Sequence, residues 1–143
     1  MFFEQITVGQ TATSRRTVTM DDIRGFAEVS GDRNPAHLDE EFASKTAFKG
    51  VIAHGMLSVS FISALLAGEL PGAGSIYMGQ SLKFLAPVRP GDEVVTKVTV
   101  KELRESGKGR GEVVCETLCM VGDKVVIEGE ALLMAPREKK LTT

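Results

Sequence analysis

Met56-Leu57-Ser58-Val59-Ser60-Phe61-Ile62-Ser63-Ala64-Leu65-Leu66-Ala67-Gly68-Glu69-Leu70 reads as one helix with almost no polar face. Its large apolar residues (Met56, Leu57, Val59, Phe61, Ile62, Leu65, Leu66) surround most of the circumference. The polar exceptions, Ser58, Ser60 and Ser63, are small. A helix apolar nearly all round is a buried one, and small residues let another backbone approach it closely. Pro71-Gly72 ends it. The segment is too short and too serine-rich to span a bilayer.

Everything after this helix reads as strand. Residues 75–85, 93–103, 112–121 and 124–134 are rich in Val, Ile, Leu, Tyr or Phe. Turn signals separate them: Pro87 to Gly91-Asp92, Ser106 to Gly111, and Gly122-Asp123. Thr96-Val98-Val100 alternates with Lys97-Thr99-Lys101, so that strand has one wet face. Consecutive strands joined by tight turns predict an antiparallel meander, and the buried helix is the obvious partner for its apolar face.

Before the helix, residues 4–18 look extended, with a turn near Gly9. A helix starts at Thr19, which can cap it, and Asp21 and Asp22 sit where the helix dipole favours negative charge. Gly31 supplies a natural stop. A second, short helix begins at Asp39 and ends near Lys45. Residues 46–54 form a loop closed by His54-Gly55.

The 143 residues fit one domain with a real core. The chain is 43% hydrophobic and 25% charged, ordinary for a soluble globular protein. A net charge of −2, with 17 basic and 19 acidic residues well mixed, gives no electrostatic case for nucleic acid or an anionic membrane. Arg137-Glu138-Lys139-Lys140 is the one basic cluster and reads as a solvated end. The start, Met1 to Gln5, has no signal-peptide pattern. Cys115 and Cys119 are too far apart on one strand for a disulfide and read as apolar fillers in a reducing compartment. The expectation is a cytoplasmic protein.

The chemistry concentrates in Ser30-Gly31-Asp32-Arg33-Asn34-Pro35-Ala36-His37. A carboxylate and an imidazole flank a stiff segment, since Pro35 fixes its own φ and biases Asn34 towards an extended conformation. Such a pair can handle one water molecule. Asp32 alone could be a turn residue bonding its own backbone, and His37 alone a structural histidine. Asn34 can hold the loop through a bond of its side chain to the backbone. His54 reads as structural, positioning the helix start.

Residues 26–37 resemble the hydratase signature of the MaoC-like, (R)-specific enoyl-CoA hydratase family. His54-Gly55-Met56-Leu57, Gly74 to Phe84 and Pro87 to Val94 are similar to the same family. The resemblance runs over almost the whole chain and implies an α+β protein with one hot-dog domain over residues 1–143. In that fold a long antiparallel sheet wraps around a buried central helix. It implies reversible hydration of a trans-2-enoyl-CoA to an (R)-3-hydroxyacyl-CoA. Asp32 and His37 would activate water, and the Gly55 N–H would stabilise the thioester oxyanion. Asn34, Ser63 and Met56 are the candidate substrate contacts. No metal or cofactor is implied, since CoA is part of the substrate, and a homodimer is expected. A hot-dog acyl-CoA thioesterase and a non-catalytic acyl-CoA binding module are the competing readings.

Overall fold

Local sequence signals set the helix boundaries. In the computed structural model, which describes residues 1–107 and 109–138, α1 spans Met20–Ser30. The Thr19 side chain accepts from the Asp22 N–H, and the Asp22 carboxylate accepts from the Thr19 N–H, so two orphan amides are satisfied reciprocally. Gly31 ends the helix at φ 80°, the left-handed region that glycine enters without strain. α3 spans Glu40–Ser44 with Asp39 as its N-cap and Lys45 as its C-cap.

Two helical turns were not expected, the first a short 3-10 turn at Phe3–Gln5 where extended chain was read. α2, Pro35–Leu38, is a single turn whose Asn34 N-cap accepts from the Ala36 N–H. Proline at the first helical position loses no hydrogen bond there. His37 therefore sits inside a helical turn rather than in a gap between helices.

α4 runs Gly55–Gly68. Leu57, Ile62, Leu65 and Leu66 join Val94, Val98, Val100, Val113 and Cys119 in one buried cluster. The expectation of a helix buried all round needs correction. Met56, Ser60, Ala64 and Ala67 are exposed, a stripe at helical spacing. One sheet covers only one side of a helix, and this stripe faces away from it.

The five strands are β1 (Thr11–Thr17), β2 (Ile76–Phe84), β3 (Glu93–Glu105), β4 (Arg110–Val121) and β5 (Lys124–Pro136). They form one antiparallel sheet in the order β1-β3-β4-β5-β2. Only β3, β4 and β5 make the expected meander. β2 does not neighbour β3: it lies at the far edge against β5, and β1 takes the place beside β3. The connection from β2 to β3 crosses the molecule, held by Ala53 N–H to the Val88 carbonyl (2.7 Å) and Val18 N–H to the Asp92 carbonyl (2.9 Å). The result is the hot-dog arrangement, with α4 packed on the inner face of the sheet.

The alternation read in β3 holds, with Val94, Thr96, Val98 and Val100 buried and Lys97 and Lys101 exposed. Both cysteines are buried and free. Of the expected loop and tail features, Lys108, Lys139 and Lys140 lie outside the described residues.

Candidate active site

Gly31 stops α1, and the chain then turns twice within the next residues. The Asp32 Oδ1 accepts from the Asn34 N–H at 3.2 Å, and the Asn34 Oδ1 accepts from the Ala36 N–H at 3.0 Å. These two side-chain-to-backbone bonds fold the loop onto itself. They leave the Asp32 carboxylate exposed. The Asn34 oxygen is engaged in capping α2, which assigns that atom to the loop.

His37 is half-buried, and its Nδ1 lies 2.7 Å from the Ile52 carbonyl oxygen. A carbonyl can only accept, so Nδ1 carries a hydrogen, and in the neutral ring Nε2 is the bare nitrogen. One carboxylate oxygen of Asp32 and one ring nitrogen each of His37 and His54 lie within 4.8 Å of one another. A single water making two bonds of about 2.8 Å spans such a separation.

His54 is the residue whose place the sequence did not disclose. It is the N-cap of α4, yet its side chain makes no capping bond. Instead Nε2 lies 2.9 Å from the Asp32 carbonyl oxygen. Its ring stacks on His37, with centroids 3.9 Å apart and planes 28° apart, and Phe26 packs on it at 4.8 Å. Stacked imidazoles aim their lone pairs along near-parallel planes rather than at one centre. Two of the four ring nitrogens already face carbonyls. Such a donor set is suited to orienting a water and moving its protons.

No side chain caps α4; the Leu57 N–H bonds the His54 carbonyl at 3.0 Å, and the Gly55 amide before it lies ahead of the first intrahelical bond. Gly55 is the first residue of that helix and is exposed. A hydrogen-bond donor and the positive end of a helix dipole therefore coincide beside His54. Next to it opens an apolar cavity of about 360 Å³, lined by Ile52, Gly55, Met56, Phe84, Val88 and Ile127 among others. Ile52 joins the two features, since its carbonyl holds His37 and it forms part of the cavity wall.

The structure thus brings Asp32, His37 and Gly55 to one place and sets Met56 in the cavity. Ser63 is half-buried on α4 and is not among the cavity-lining residues.

The model of the MaoC-like domain family matches residues 3–121. The chain is 53% identical over 135 residues to the (R)-specific enoyl-CoA hydratase of Rhodospirillum rubrum, covering 94% of this chain and 92% of that protein. It is 45% identical over 140 residues to the 3-hydroxybutyryl-CoA dehydratase of Methylorubrum extorquens, covering 98% and 87%. Among solved structures, the (R)-hydratase of Aeromonas caviae involved in PHA biosynthesis superposes with a TM-score of 0.87 at 42% identity, covering 93% of this chain and 99% of that one. A match this extensive makes the chain an enzyme of the hydro-lyase class, and it belongs to the MaoC-like domain family.

Proposed function

We propose that this enzyme hydrates trans-2-enoyl-CoA reversibly to (R)-3-hydroxyacyl-CoA. The observation that carries the reading is a carboxylate oxygen of Asp32 and a ring nitrogen of His37 within 4.8 Å of each other, a separation that one water can bridge. The Gly55 amide at the start of α4, capped by no side chain among the described residues, and an apolar cavity stand beside them.

Adding water to an α,β-unsaturated thioester places OH on C3 and H on C2. Asp32 and His37 take the proton from the water as its oxygen bonds to C3, and the proton so held is delivered to C2. Negative charge builds on the thioester oxygen in between, where the Gly55 N–H can receive it. Net addition of water transfers no electrons, so the step calls for no redox group. The apolar cavity fits the hydrocarbon part of the acyl group.

The two sheet edges support a homodimer. β1 presents Arg15 and Arg16, charges that discourage pairing. β2 presents exposed Ile76, Tyr77, Met78 and Phe84 instead, and α4 adds the exposed small residues Ser60, Ala64 and Ala67. An apolar, unpaired edge of this kind is suited to a second copy. The buried free thiols fit a reducing compartment, and we place the enzyme in the cytoplasm.

The test is to add the protein to crotonyl-CoA and follow both the enoyl chromophore and free thiol. Loss of the chromophore without thiol release supports the hydratase, and chiral analysis should find the (R) product. Thiol release with the double bond intact would instead identify a thioesterase. No change in either signal would identify a binding module.

A further inference from the structure

We propose that His54 is a positioning residue of the catalytic pair: its Nε2–H holds the Asp32 backbone, and its ring face sets the plane of His37. The inference rests on the hydratase reading for its kinetic consequence, though not for its geometry.

Three independent contacts point the same way. His54 Nε2 lies 2.9 Å from the Asp32 carbonyl, which can only accept, so this nitrogen carries the hydrogen. The opposite nitrogen, Nδ1, is buried without a hydrogen-bond partner among the described residues. A chain that wanted only a helix cap at this position would use Ser, Thr, Asp or Asn, which bond the helix amides. This side chain caps none of those amides and turns to Asp32. Finally, the ring is clamped between Phe26 and His37 and is only 3% exposed.

The consequences differ for the two partners. Asp32 follows the left-handed Gly31 and lies in an exposed loop. Apart from short-range turns, its backbone is tied to the body of the protein by the His54 bond across 22 positions of sequence. His37 has its nitrogen held by Ile52 and its ring face held by His54. The first contact fixes which nitrogen is bare, and the second fixes where it points. His54 touches no reacting atom in this scheme. It acts by keeping the carboxylate and the imidazole a water's width apart.

Two substitutions separate the roles. His54→Phe keeps a ring face and deletes the donor. His54→Gln keeps a side-chain N–H donor and deletes the ring face. For His54→Phe the expected result is a kcat loss of about 10- to 100-fold with KM within about twofold of the parent, since misplacement by ~1 Å costs on that order. Unchanged kcat in a folded His54→Phe protein would overturn the proposal, as would a loss confined to KM.

The chain has 2 histidines, so the single imidazole left in either variant is His37. Nitrogen NMR of that ring should show the Nδ1–H form in the parent and in His54→Phe; in His54→Gln the ring, freed of its stacking face, should turn from the Ile52 carbonyl and show a mixture of tautomers. A purely structural His54 would leave the His37 spectrum of His54→Gln unchanged, and that result overturns the ring-face role even if His54→Phe fails to fold. Failure of the parent to hydrate any enoyl-CoA would sink the proposed function alone, because the NMR comparison needs no turnover.

Discussion

The ring of Phe84 lies over Gly55, so close that a methyl group added at Gly55 would meet it at 2.5 Å. Phe84 is an exposed side chain at the end of β2 and can swing away. The Gly55→Ala protein should therefore fold with stability within about 1 kcal/mol of the parent, alanine also being the better helix former. Its activity should drop at least tenfold or so, because the methyl occupies the approach to the amide donor. Thermal unfolding and enoyl-CoA turnover on the same preparation check both halves.

Asp32→Asn retains an oxygen that can accept from the Asn34 N–H, so the loop should keep its shape. On the proposed mechanism, what it loses is the base. Turnover should fall by about 10²- to 10⁴-fold, the range for removal of a general base, with the far-UV spectrum and unfolding midpoint unchanged. His37→Ala should cost as much turnover. Near-normal activity in Asp32→Asn would sink the mechanism.

Acid should loosen the start of α1. The Thr19 N–H, helped by the Arg16 guanidinium at 2.7 Å, outweighs the opposing effect of burial and holds the Asp22 carboxyl below its usual range. A carboxyl depressed in the folded state contributes stability that is present above its unfolded value. The contribution is lost as pH falls through the folded one. Asp22→Asn should be less stable than the parent by about 0.5–1 kcal/mol near neutrality, and the gap should close below about pH 4. Denaturant melts at several pH values measure it; a gap that widens in acid would contradict the assignment.

Burial pushes the Cys115 thiol up to about 11 and raises Cys119 as well, against a hydrogen bond from Thr96. The thiolate is the reactive form. A disulfide reagent at mildly alkaline pH should therefore leave both thiols untouched in the native protein and titrate 2 per chain once it is unfolded.

Met78 is the extra residue of a bulge on β2 and is 55% exposed in the single chain. Met78→Asp should leave the isolated fold intact and shift the protein from dimer to monomer. Sedimentation velocity distinguishes the two. A dimer unchanged in Met78→Asp would move the interface away from the β2 edge.

Much of this was readable in advance because the signals are local. Thr19, Gly31 and Asp39 each satisfy a helix end within three or four residues, and the helix boundaries fell where those residues stand. The Asp32 and His37 pair was readable for the same reason, since one short loop carries both. α2 escaped because a single turn has no periodicity to detect. The displaced β2 escaped because alternation shows that a segment is a strand but not which strand lies beside it.

The sequence by itself determined the strands, α1, α3 and the long apolar helix, and it set Asp32 and His37 on one short loop. Only the tertiary structure decided which sides of that helix are covered. It also decided that Phe84 meets Gly55, and that His54 turns from the helix it caps to the carbonyl of Asp32. The physical reason is that caps and turns are closed by neighbours in the chain. Strand order, ring stacking and the use of a buried nitrogen depend on residues tens of positions away, brought together by the packing of the whole core.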